Sequence, residues 1–523
     1  MEDDQKSTGR AGSVFRAAVS LLLAVPVLAG GVGFRPGQGR DNGGEDGLDG
    51  LRTKLRSSDK WQRAEAVAAL ARVGSVEAWE LVVTALADPK GEVADTAQLL
   101  LAALDESEAL ELVGKEGGLR AEEPLVRARA AEVLGRCAAA PPVKWLERAL
   151  GDDDPEVRRM AAWSFERLGR AGKLDEKGRE AAGERLAGRV RGERDPLARV
   201  RELAALCVLA PHAAPSALEE ARRHREPLVR GAAAALVAEV RTSAEAFERL
   251  APLAADPVAS VRLVACESLA RLRSRAAAAR LVERLGVETQ ERLVLRLVEL
   301  LQGLSGLKHR RDPRPWNAWL EKLPADWSGA RVTPAAAEEE ASVRTQAALA
   351  GLPIQSKRVA ILIDLSGSIW NVRPDGRTRK QVVDGQLREA LEALPEDARF
   401  NLIPYTGQPH PWKPELVPAT PARVREAARW FEACKQYGSG NFWDAAMLAL
   451  EDPEVDTLIV IFDGAPTGGT RHRMELIAPL FLERNFARRV VLDLVLVDAG
   501  KHDERLWGEL ARSTGGQVVS VSL

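Results

Sequence analysis

Val359-Ala-Ile-Leu-Ile363 runs straight into Asp364-Leu-Ser366-Gly-Ser368. Five apolar, β-branched-rich residues read as a strand buried on both faces. Three oxygen-bearing side chains, two residues apart, leave its tip. Alternate residues of an extended segment point the same way, so one carboxylate and two hydroxyls converge above the sheet edge. That donor set suits a hard divalent cation such as Mg²⁺, which takes oxygen ligands and keeps several waters. The triplet is short, and its meaning depends on what surrounds it.

Downstream, apolar strands alternate with amphipathic helices. Strands are expected at Arg399–Tyr405, Thr457–Phe462, Val490–Val497 and Gln517–Val521, and helices at Arg379–Leu394, Pro421–Lys435, Asp444–Leu450, Arg473–Asn485 and Glu504–Ser513. This alternation predicts an α/β doubly wound, mostly parallel sheet over residues 356–523, with ligands at the carboxyl ends of its strands. Thr457–Phe462 ends in Asp463-Gly464-Ala-Pro466-Thr467, a second carboxylate at a strand tip. Between the two acidic tips lies Gly438-Ser439-Gly440-Asn441-Phe-Trp443-Asp444, a loop entering a helix.

The strand order, D-x-S-x-S and D-G-x-P-T together resemble the von Willebrand factor type A (vWA) domain and its metal-ion-dependent adhesion site (MIDAS). The resemblance implies Ser366 and Ser368 as direct metal ligands, with Asp364 and Asp463 ligating mostly through water. It implies Mg²⁺, or Mn²⁺ or Ca²⁺, with a partner's carboxylate filling the open position. Hydroxyl ligands leave such a cation its Lewis acidity for that anion. One departure stands out. The family's loop threonine aligns with Gly440, and Ser439 is adjacent but out of register. A sheet that keeps the pattern without metal is the alternative reading.

Residues 50–305 are repetitive. Asp154-Pro-Glu-Val157-Arg158 recurs as Asp256-Pro…Val261-Arg262, Glu226-Pro-Leu-Val229-Arg230 and Glu123-Pro-Leu-Val126-Arg127, with weaker copies around Arg63, Val93, Arg201 and Arg292, mostly about 30 residues apart. Pro early in a helix costs no backbone hydrogen bond. The Arg, a small residue three later and an apolar one seven later share a face. This period predicts an all-α solenoid, and the pattern resembles HEAT repeats of the short bacterial type, which implies a protein-binding scaffold. Arg63, Arg127, Arg158, Arg201, Arg230 and Arg262 form a stripe. Each is expected to bond the acidic residue or carbonyls of a neighbouring repeat, and the many Glu residues argue against a phosphate track. Residues 306–355 read as a connector, where Trp316, Trp319 and Trp327 cap the last repeat or dock the next domain. From Val332 to Ser356 the composition suggests a linker.

The chain of 523 residues is thus expected to be multidomain. Lys plus Arg (74) and Asp plus Glu (76) nearly balance, so charge gives no support to a nucleic-acid partner. The four cysteines are far apart and give neither metal spacing nor a disulfide framework. Arg10 and Arg16 precede the uncharged run Ala17–Phe34, so residues 1–49 read as a signal peptide or membrane anchor plus linker, against an apolar tail on a cytosolic protein. That places the protein outside the cytoplasm, secreted, periplasmic or anchored. No phosphate loop, nucleophile elbow or histidine ligand spacing is present. The expectation is a non-enzymatic scaffold that binds a protein partner through a cation. The alternative is an accessory subunit of an ATPase/chelatase-type or chaperone complex.

Overall fold

The computed structural model describes residues 47–104, 107–115, 117–329 and 347–521. The N-terminal run Ala17–Phe34 and most of the expected linker lie outside the described residues. Among those described, no helix is long and apolar enough to cross a membrane.

The N-terminal half is a helical solenoid. One row of helices, α1 (Gly91–Ala102), α2 (Pro124–Arg136), α3 (Pro155–Arg170), α4 (Pro196–Leu209), α5 (Pro227–Val240) and α6 (Ala259–Leu272), stacks neighbour on neighbour. Four of these start with Pro at the first helical position, and the Asp154 and Asp195 side chains cap the amides that follow.

Five arginines repeat a single geometry. Arg127 donates to both carboxylate oxygens of Asp152 at 2.8 Å and to the carbonyls of Ala121 and Glu122 at 2.9 and 2.6 Å. Arg63 pairs likewise with Asp88, Arg158 with Glu193, Arg230 with Asp256 and Arg262 with Glu288, each also binding two carbonyls five and six residues back. The rigid guanidinium fork ties the turn before its own helix to the turn of the next repeat.

Arg201 corrects the expected stripe. Asp195-Pro-Leu-Ala puts Arg199 in the repeating position, and Arg199 bonds Glu220 at 2.7 Å. Arg201, two residues on, faces away to Glu166 and Glu483. A Val-Arg pair is too little sequence to fix the register when the preceding turn carries the same spacing.

Trp316, Trp319 and Trp327 stand edge to face in a row at the solenoid's end. Trp316 is fully buried, donates Nε1–H to the Arg310 carbonyl and packs in one cluster with Leu281, Leu285, Leu301 and Leu304. They cap the last repeat.

The C-terminal half is a six-stranded sheet of β1 (Arg358–Asp364), β2 (Arg399–Tyr405), β3 (Val417–Pro418), β4 (Thr457–Phe462), β5 (Val491–Val497) and β6 (Val518–Val521). Their order is β3-β2-β1-β4-β5-β6, all parallel but β3. Val359, Ile361 and Ile363 pack against α7 (Arg379–Glu392) and α8 (Pro421–Glu432). A hairpin of Ala348–Leu349 and Leu352–Pro353, within the expected connector, joins that core. Ala360 and Leu362 face α9 (Phe442–Ala449), α10 (Met474–Arg484) and α11 (Lys501–Ser513).

That second core runs without interruption into the solenoid. The segment after β4 and helix α10 dock on the α1–α4 row. Arg471 reaches Glu132 at 2.7 Å and Gln98 at 2.6 Å. Asp95 accepts the backbone amides of His472 and Arg473 at 2.6 and 2.9 Å. Glu483 receives both Arg159 and Arg201. Close backbone contact completes the joint: the Gly91 amide donates to the Gly469 carbonyl at 3.0 Å, and a side chain at Gly91 would meet that carbonyl at 2.7 Å.

Candidate cation site

The sheet order reverses beside β1: the chain leaves β1 toward α7 on one face and β4 toward α10 on the other. Ligands bind outside the carboxyl ends of the strands at such a switch point. Asp364 is the last residue of β1, and Asp463 follows β4 directly. Sequence reading named these two with Ser366 and Ser368, and all four lie at this edge.

Asp364 and Ser366 are each 8% exposed. The Ser366 amide donates to Asp364 Oδ1 at 2.7 Å, turning the chain into a short 3₁₀ turn at Gly367–Trp370. The turn sets Ser366 Oγ 3.3 Å from Ser368 Oγ. Two oxygens at right angles around Mg²⁺ are about 3 Å apart. Burial pushes the Asp364 carboxyl up to about 7, and the Asp463 charge adds to the shift. The Tyr405 hydroxyl at the end of β2 is pushed well above its ordinary value by burial and by both carboxylates. Asp364 and Tyr405 thus share a desolvated edge within reach of the Asp463 charge. Among the described residues no three His, Cys, Asp or Glu side chains come together to hold a metal by themselves, so the serine hydroxyls are needed to complete a donor set. An all-oxygen set with a desolvated carboxylate fits a hard cation.

The loop 438–441 closes over this set. Ser366 bridges Gly438, the Asn441 amide donates to the Thr406 carbonyl at 3.0 Å, and the buried Asn441 side chain bonds Gly407 and Asp444. Gly440 lies against Asp364, since a Cβ there would stand 2.5 Å from Oδ2. Its amide donates to Thr467 Oγ1 at 2.7 Å, and the Thr467 amide donates back to the Gly440 carbonyl at 3.0 Å. The Ser439 hydroxyl sits against Gly468 and is no substitute at position 440.

Two residues escaped the sequence reading. Arg379, the first residue of α7, reaches Asp463 Oδ2 at 3.4 Å and Asp498 Oδ2 at 2.6 Å. Asp498 follows β5, a third acidic strand tip. The available signal was a carboxylate directly after Val491–Val497. The solenoid also reaches the site: Lys60 donates to the Thr467 carbonyl at 3.0 Å while pairing with Glu92.

A family model described as HEAT repeats matches residues 118–207. Over 130 residues the chain is 30% identical to inter alpha-trypsin inhibitor, heavy chain 4 of Mus musculus, covering 23% of this chain and 13% of that protein. Over 97 residues it is 36% identical to inter-alpha-trypsin inhibitor heavy chain H3 of Bos taurus, covering 18% and 10%. The chain therefore spans only about a tenth of these relatives' length. Among solved structures, the complex of CpcE and CpcF of phycocyanin lyase from Nostoc sp. PCC7120 is 22% identical, covers 56% of this chain and all of that one, and has a TM-score of 0.26.

Proposed function

We propose that this protein is a non-enzymatic scaffold whose C-terminal domain is of the vWA type and binds a protein partner through a divalent cation. The observation that carries the reading is that Asp364 and Asp463 end adjacent strands, near enough for the Asp463 charge to raise the Asp364 carboxyl, with two hydroxyls 3.3 Å apart beside them. Ser366, Ser368, Asp364 and Asp463 would hold the cation. It would offer an open position to a carboxylate of the partner. The chain's own residues do the rest: the Ser366 amide orients Asp364, Gly440 shields it from water, and Thr467 holds the two loops together. The solenoid holds the loop beside this edge through Lys60 and through Glu132, which pairs with Arg471. The N-terminal run is the basis for placing the protein outside the cytoplasm.

Titrating Mg²⁺, Mn²⁺ and Ca²⁺ into the full chain by calorimetry tests the reading. Saturable heat is expected in the wild type and none in Asp364→Ala. Equal behaviour of the two proteins would sink it. Pull-downs from membrane and soluble fractions, with and without EDTA, then report compartment and metal dependence. An ATPase recovered regardless of EDTA would point to the accessory-subunit alternative.

A further inference from the structure

Arg379 stands at the first position of a 14-residue helix, where the helix dipole disfavours a cation. It is held there by two strand-end carboxylates, Asp498 at 2.6 Å and Asp463 at 3.4 Å. Asp498 has φ of 48°, in the left-handed region that a non-glycine residue adopts at a cost. Arg379 and Asp498 are 21% and 28% exposed at the side chain, so their charges are only partly screened.

We propose that Arg379 is a tethered counter-cation of the candidate site, and that Asp498 is the positioning residue that sets how strongly it competes for Asp463. This rests on the reading of Asp364, Ser366, Ser368 and Asp463 as a cation site. The shorter contact draws the guanidinium toward Asp498 and leaves Asp463 at the edge of ion-pair distance. Asp463 therefore keeps charge to offer a divalent ion. Without Asp498 the guanidinium keeps Asp463 as its paired carboxylate among the described residues, and the divalent ion meets a more strongly paired ligand. Without Arg379, Asp463 loses the guanidinium paired with it. The site thus carries an internal competitor whose strength depends on a residue outside the ligand set.

The test is calorimetric titration of Mg²⁺ and Mn²⁺ alone into full-length wild type, R379Q, R379K, D498N and the R379Q/D498N double variant, with melting in EDTA to establish folding. R379Q is expected to bind the ion about tenfold more tightly, the effect of removing one unit charge close to the site. R379K stays near wild type, and D498N weakens binding several-fold. The double variant separates mechanism from plain charge: the D498N effect disappears in the R379Q background if Asp498 acts through Arg379. Unchanged or weaker binding by R379Q overturns the inference, as does a D498N loss that persists in the double variant. If R379Q does not fold, tighter binding by D498N overturns it alone. Heat in R379Q but not in wild type supports it. No heat in either removes this inference together with the cation site, whereas wild-type binding that R379Q leaves unchanged removes this inference only.

Discussion

Gly440 shows what one residue contributes to this edge. The vWA pattern expects a threonine hydroxyl there, but the backbone at 440 has closed on Asp364 so far that a methyl group would stand 2.5 Å from Oδ2. Asp364 is buried and pinned by the Ser366 amide, so it has little room to yield. Restoring the threonine is therefore expected to cost about 1–3 kcal/mol of stability, as overpacking does, and to weaken cation binding. Urea melts and calorimetry on Gly440→Ala and Gly440→Thr check this, and tighter binding by the threonine variant would show that the loop opens. The four residues that the sequence singled out, Asp364, Ser366, Ser368 and Asp463, all lie at this edge, although Ser368 reaches it from a 3₁₀ turn and not from the expected extended alternation. The sequence did not single out Arg379 and Asp498. Their relation runs across 119 positions, and only the sheet brings the end of β5 to the start of α7.

Among the elements, the repeating arginine fork argues for a specific energetic role. Removing Arg127 takes the guanidinium from two carbonyls and from the Asp152 carboxylate, which keeps the Asp154 amide, in a half-buried seam. Arg127→Met is expected to destabilise the fold by about 2–4 kcal/mol, near the lower end for breaking a buried pair. Arg127→Lys should recover little, since one ammonium cannot span a carboxylate edge and two carbonyls. Urea-midpoint shifts for the two variants report this, and full recovery by lysine would remove the geometric argument. Helix α4 adds a pH-dependent element. Burial pushes the Glu202 carboxyl up from 4.5 to about 7, despite Arg189 at 2.9 Å pulling the other way. Between those values the folded protein keeps a proton that the unfolded chain has released, so stability falls as pH rises through this window. Glu202→Gln removes that slope. Its melting temperature is expected to gain on wild type from pH 5 to pH 8, and parallel profiles would contradict the assignment. The repeats themselves were readable because D-P-x-V-R recurs. Arg201 was misplaced because Val-Arg occurs there out of register.

Across the whole molecule, the joint between the halves is the feature with the largest consequence. Glu483 on α10 receives two buried arginines of the solenoid, Arg159 and Arg201, and Arg471 sits between Glu132, Gln98 and Asp95. Removing Glu483 takes one of two carboxylates from each arginine, since Arg159 keeps Glu156 and Arg201 keeps Glu166. Glu483→Ala is expected to cost about 1–3 kcal/mol, as for a buried polar group that loses a partner, and to split the single transition expected of the wild type into two by differential scanning calorimetry. A single unshifted transition would mean that the joint contributes nothing to cooperativity. The sequence by itself determined the helical repeats, the alternation of strands and helices, and the two carboxylates at the strand tips. These follow from short-range periodicity, which one stretch of chain carries alone. Only the tertiary structure decided that the loop after Asp463 is gripped by the solenoid, that Gly440 closes on Asp364, and that Arg379 shares Asp463 with Asp498. Those depend on close approach between segments from 76 to 407 residues apart, and a buried charge shows its partner only once both are out of water.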